Sequence, residues 1–198
     1  MNKEKKTILD RYPRTDDGRI IIDIAAGKIE DLFNNFDKAT PYAKKDLDID
    51  FYNYLLDCVR EIGNIPFIIQ ITLDSRPDEA RWLSAIEGIR NFFIYTKEVK
   101  IREMKTLFRT SFMLLGIGVA VMMLSLWVHR MVGPDSDVFR YVFAEGLTVA
   151  AWVLLWESLA TFLIQWPPYR RDIHWYKRIS RAAIVYRCPS QESPPVKP

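Results

Sequence analysis

Glu157 has the most demanding chemistry in the chain. It lies near the middle of an apolar run from about Val142 to Trp166. An ionisable group at that depth in a bilayer costs about 2.5–3.5 kcal/mol or more, and it needs a partner or a water-filled cavity. Counting by threes and fours puts Gly146, Ala150, Val153, Glu157, Thr161 and Ile164 on one helical stripe. Small and polar residues let membrane helices approach closely, so this stripe is expected to be a packing face. Two roles fit the carboxyl: it binds a proton or cation, or lines a conducting path; alternatively it hydrogen-bonds a neighbouring helix as a neutral acid. No cation of the chain stands at the same depth, which favours helix association. Glu145 is nearer the outer end, where it can reach water or headgroups. On the preceding apolar run, Ser111, Gly118, Met122 and Ser125 form a comparable stripe, and Gly116-x-x-x-Ala120 is a second close-approach site.

Other candidates are weaker. Asp46-x-Asp48-x-Asp50, with Asp37 nearby, alternates carboxylates as a cation loop would. It lacks the glycine turn and the terminal glutamate of such loops. The strong N-cap preference of Asp favours Asp46 or Asp48 capping the helix that follows. The sequence holds no Gly-rich phosphate loop, no serine-nucleophile motif and no Cys–His pair of recognisable spacing. His129 and His174 both fall at expected membrane boundaries. Cys58 and Cys188 have no metal-ligand spacing, and two isolated thiols suit a reducing compartment. No catalytic residue, metal or cofactor is expected.

The elements that must position Glu157 are two apolar helices. The first span covers about 107–128; beyond Arg109, roughly 19 uncharged residues suffice to cross a hydrocarbon core of about 30 Å at 1.5 Å per residue. The second covers about 142–166. Trp127 and Trp166 stand at interfacial positions. Lys97, Lys100, Arg102, Lys105 and Arg109 precede the first span, and Arg170, Arg171, Lys177, Arg178, Arg181 and Arg187 follow the second. The loop between has only Arg130 and Arg140. This bias places both termini in the cytoplasm of a bacterial inner membrane and the Gly133-Pro134-Asp135 loop outside. Met-Asn-Lys-Glu-Lys-Lys is followed by no apolar run, so no cleavable signal peptide is expected. A net charge of +3 over 198 residues gives no reason to expect nucleic acid as a partner.

The fold class expected is therefore a membrane α-helical hairpin, with two transmembrane helices, plus a small cytoplasmic α/β or α+β domain with a short sheet. Residues 1–18 are expected to be flexible. In the domain, 19–106, Arg19–Ile24 and Ile65–Leu73 read as strands, Glu30–Phe36 as a short helix and Asp48–Ile62 as an amphipathic helix stopped by Gly63-Asn64. From Pro77, within the first helical turn, one long helix or two nearly coaxial ones should run into the first span. Two strands alone are marginal, which argues for a second copy or a partner protein completing the sheet. Residues 107–166 form the hairpin. Residues 167–188 read as a basic amphipathic segment whose Arg170, Arg171, Lys177, Arg178 and Arg181 bind anionic headgroups or dock the segment on the domain. Residues 189–198, rich in proline, should be disordered.

Two stretches carry a resemblance. One is F-D-x-A-T-P-Y-x-K-K-D-L-D at Phe36 to Asp48. The other is E-G-L at Glu145 to Leu147, then W-V-x-x-W-E at Trp152 to Glu157 and W-P-P-x-R-R-D-I-x-x-Y-x-R-I to Ile179. In these the chain resembles an uncharacterised family of bacterial two-span integral membrane proteins with a small cytoplasmic N-terminal α/β domain. The resemblance implies that architecture and supplies no catalytic residue. Three functions follow: a scaffold, sensor or accessory subunit that oligomerises and recruits a cytoplasmic or membrane partner; a small oligomeric ion channel or transport subunit using Glu157; and a membrane enzyme acting on lipid or nucleotide. The first is favoured because no catalytic constellation is present.

Overall fold

The computed structural model describes residues 9–34, 40–131 and 138–188. Asp37, and the disorder expected for 189–198, lie outside them. The chain divides into two compact units. One comprises residues 1–97 and 174–198, the other 98–173.

The first unit is built on a three-stranded parallel sheet. Strand β1 (Ile20–Ala26) leads through helix α1 (Ile49–Ile62) to β2 (Phe67–Leu73). Helix α2 (Glu79–Met131) then begins in this unit and ends in the other. Helix α3 (Val138–Ala160) follows, and α4 (Trp166–Arg181) leads back to β3 (Ala183–Arg187). The sheet order is β1-β2-β3. β-Branched residues at alternate positions explain the layering. Ile22, Ile69 and Ile184 form one buried cross-strand row, and buried Ile24 and Ile71 with half-buried Tyr186 the next. On the other face the corresponding rows are Asp23–Gln70–Val185 and Ala25–Thr72–Arg187, which stay exposed or half-buried. Leu55, Val59 and Ile62 of α1, Ala85, Ile89 and Phe93 of α2, and Ile179 of α4 complete the buried side. Tyr52, Phe93 and Tyr176 gather beside them, with the Tyr52 and Tyr176 hydroxyls 2.7 Å apart.

Asp48 is the N-cap of α1: its carboxylate accepts from the Asp50 and Phe51 amides at 2.9 and 3.2 Å, and Gly63 ends the helix at φ 68°. Asp78 opens α2, accepting the Trp82 amide on its carbonyl at 2.9 Å, so Pro77 precedes the helix. The expected helix at 30–36 is a 3-10 turn, Ile29–Leu32.

Two expectations need correction. Residues 9–18 are folded: Leu9 is buried, and the Pro13 carbonyl accepts from the Ile21 amide at 2.9 Å, occupying backbone groups on the outer edge of β1. The segment 167–188 is not one basic amphipathic helix. Its helix stops at Arg181, and Ala183–Arg187 fill the free edge of β2. That edge therefore gives no reason for a second copy, because the chain completes it.

The second unit is a helical hairpin. α2 is a single helix of 53 residues, and α3 continues through a π-helical turn, Thr161–Gln165, into α4. Among the described residues two helices are long and apolar enough to cross a membrane, and little of their apolar windows is buried within the protein.

Candidate functional sites in the hairpin and the domain

In the hairpin, residues seven apart in α2 face α3. Ser111, Gly118 and Ser125 are buried. Opposite them stand Ser158, Leu154 with Leu155, and Thr148. The Ser158 hydroxyl donates to the Ser111 carbonyl at 2.8 Å, and the Ser125 and Thr148 hydroxyls are 2.6 Å apart. Gly118 allows the close approach between them: a Cβ there would stand 3.1 Å from Leu155 Cδ2 and 3.2 Å from Leu154 Cβ. At the far end the His129 ring bonds the Ser125 carbonyl at 3.1 Å, and its Nε2 is 3.7 Å from the Glu145 carboxylate. At the near end Phe108, Phe162 and Trp166 cluster within 5.6–6.2 Å, and the Arg170 guanidinium lies 5.5 Å over the Trp166 ring. Arg171 is exposed.

Glu157 does not take part in this packing. It is exposed, together with Gly146, Ala150, Val153 and Ile164, and Thr161 is half-buried. The stripe expected to pack inside the hairpin faces away from it. The packed face of α3 is instead Ala144, Thr148, Ala151, Leu155 and Ser158, which keeps the same three-and-four spacing. Gly116 has nothing near it either, and Ala120 is exposed, so that pair also faces outward. The Ser158–Ser111 bond fixes the depth of Glu157. One residue earlier in α3, it stands level with Phe112, about 5 Å along the axis from Arg109 at 1.5 Å per residue. It is nearer the end of the apolar zone than its place in the sequence suggested.

Two cavities of the domain are lined by charged side chains. The first is acidic and lies beyond the C-terminal end of β1, where parallel sheets commonly bind ligands. It measures about 510 Å³ and is lined by Asp23, Asp31, Asp48, Asp50 and Tyr54, among others. Asp23 accepts from Gln70 at 3.3 Å and Thr72 at 3.0 Å, and Asp31 accepts from the Lys28 amide at 2.8 Å. These bonds and the α1 cap occupy much of the acidic set. Among the described residues no three ligand groups converge as a metal site. Asp23 and Asp31 escaped the sequence reading, because only the strand order brings the end of β1 beside the start of α1.

The second cavity, about 500 Å³, is basic. It is lined by Asn64, Pro66 and Phe67 between α1 and β2, and by His174, Lys177, Arg178, Arg181 and Ala182 at the end of α4. Three of the five cations expected at headgroups or a docking face therefore meet here. Arg178 is the most enclosed: its guanidinium lies 4.9 Å over Phe67 and 5.9 Å from Trp175. Its Nη2 donates to the Ile65 carbonyl. Burial pushes its pKa down from the ordinary arginine value.

No family model, curated protein or solved structure matches the chain.

Proposed function

We propose that the protein is a membrane-anchored module whose cytoplasmic α/β domain recruits a partner while the hairpin assembles with a second hairpin. The observation that carries this is the place of the hairpin in the chain. It interrupts the connection between two paired strands, β2 and β3. A domain that contains residues 67–73 and 183–187 lies on one side of a bilayer, so the intervening chain crosses an even number of times. Two long apolar helices supply the two crossings, and they expose Phe112, Leu126, Trp152 and Trp156 at 61% or more. A surface of that kind belongs in lipid or against another membrane helix. The Lys/Arg bias supports a cytoplasmic location for the domain.

Assembly rests on Glu157. Among the described residues it has no hydrogen-bond or ion-pair partner, and an outward carboxyl inside the apolar zone is costly unless a neighbour meets it. Gly146 and Ala150 on the same face permit close approach. Two measurements test the proposal in the full chain. Reporter fusions after Met131 and after Pro198 should be active on opposite sides of the membrane; activity on the same side refutes the topology. In detergent, Glu157→Leu should shift the assembly toward monomer, and unchanged size would leave Glu157 without an assembly role. Ion flux in reconstituted vesicles that is abolished by Glu157→Gln would replace the scaffold with a conducting function.

A further inference from the structure

We infer that the basic cavity of the domain is a binding site for a phosphate group, carried either by a lipid headgroup or by a free phosphorylated metabolite. His174, Lys177, Arg178 and Arg181 follow one another at spacings of three, one and three in α4, so one helix face delivers all four to the cavity. None of the eight lining residues is acidic. Among the described residues no ion pair engages Lys177 or Arg181. Arg178 supplies the second observation. Its Nη1 is buried and has no acceptor, although its Nη2 is bonded and its plane is held over Phe67. A guanidinium fixed in place with one nitrogen unused has a donor left to offer a phosphate oxygen, an acceptor that arginine binds well. His174, hydrogen-bonded to Asn64 at 3.2 Å, borders the same space.

A simpler role for these cations is to offset the partial negative charge at the end of α4. That role would be served by exposed side chains. It requires neither a cavity free of carboxylates nor the desolvation of one guanidinium. The site lies wholly within the first unit, so it does not depend on the hairpin crossing a membrane.

The test uses the full chain in nanodiscs of purely zwitterionic lipid. Calorimetric titration with inorganic pyrophosphate reads binding of a soluble ligand. Nanodiscs containing phosphatidic acid, compared with zwitterionic ones by lipid retention and by melting temperature, read binding of a headgroup. The matched variant is Lys177→Ala with Arg181→Ala; both positions are exposed, so the fold should survive. Arg170→Ala with Arg171→Ala, outside the cavity, is the control. Binding in either arm that weakens at least about tenfold in the first variant and is unchanged in the control supports the site, and the responding arm names the source. Absence of binding in both arms overturns it, as does equal weakening by the two variants. Should the first variant melt below the native chain without ligand, Lys177→Gln with Arg181→Gln repeats the comparison on the same criteria.

Discussion

Replacing Gly88 by alanine sets two effects of known sign against each other. Gly88 lies in the interior of α2, where alanine ordinarily gains about 1 kcal/mol over glycine. Here the helix backbone abuts the 3-10 turn Tyr42–Lys44, which is fastened to α2 by Asn91 donating to the Ala43 carbonyl at 3.3 Å. A Cβ on residue 88 would overlap the Tyr42 carbonyl oxygen, stand 2.9 Å from its carbon and 3.3 Å from Phe33 Cε1. Carbon atoms in good contact lie about 3.5–4.0 Å apart, so the turn must retreat by roughly an ångström. The Phe33–Tyr42 ring pair, with centroids 5.1 Å apart, would be carried with it. Overpacking of this kind costs typically 1–3 kcal/mol, and backbone yields less readily than a side-chain tip, which points to the upper part of that range. After the propensity gain, the net loss is about 1–2 kcal/mol. At about 3–5 °C per kcal/mol for a domain of this size, that lowers the melting temperature by about 3–10 °C. Circular dichroism of the full chain in detergent should register the drop. Gly116→Ala, where nothing lies within 4 Å of the added atom, should show none. A Gly88→Ala protein as stable as the native chain would mean that the turn does not rest on α2 as described.

Asp48→Ala removes both bonds of the α1 cap and should destabilise the domain by about 1 kcal/mol, read by chemical denaturation; Asp46→Ala should leave it unchanged. Ser158→Ala deletes the bond to the Ser111 carbonyl and should weaken the hairpin by about 0.6 kcal/mol, the average for such bonds between membrane helices, as read by denaturation in detergent. Glu30 lies below its ordinary value of 4.5, chiefly because the Tyr42 hydroxyl donates to it at 2.8 Å. The folded state therefore holds its proton less tightly than the unfolded chain, so this stability is present above pH 4.5 and is lost as pH falls through the lower folded value. Tyr42→Phe should flatten the melting-temperature profile below pH 4.5 and leave it parallel to native above; an unchanged acid limb would show that the bond contributes nothing. Finally, replacing residues 98–173 with a flexible Gly/Ser linker of about 15 residues should yield a soluble, folded domain, since loop closure costs only slowly more with length. A product that is insoluble or lacks native circular dichroism would show that the domain needs the hairpin to fold.

The parts of this architecture that were legible in the sequence are those governed by local chemistry. Asp48 as a cap, Gly63 as a stop, and the alternating isoleucines of β1 and β2 follow from nearest neighbours and strand period. Ser111, Gly118 and Ser125 were also legible, because a seven-residue repeat of small polar residues in an otherwise apolar helix has few uses besides contact. The corresponding face of α3 was not. Two stripes obey the same spacing, and the carboxyl of Glu157 drew attention to the outward one. Only the partner helix distinguishes them, since Ser158 and Thr148 meet the Ser111 carbonyl and the Ser125 hydroxyl of α2, and Glu157 has no such counterpart among the described residues.

Strand β3 was hidden for a different reason. A-I-V-Y-R is five residues long, and a short run with one buried and one half-buried side chain carries neither a clear helical period nor a clear strand period, so nothing in it separated it from the basic segment before it. Yet these few residues decide the relation between the two units of the chain. Without them the hairpin would be a C-terminal anchor, and the parity of its crossings would rest on the arginine and lysine bias alone. With Ile184 paired to Ile69, the same parity follows from backbone hydrogen bonding between segments over a hundred residues apart. The distribution of charge and the pairing of the sheet are independent constraints. Under the proposed membrane topology, both place the two ends of the hairpin on the same side.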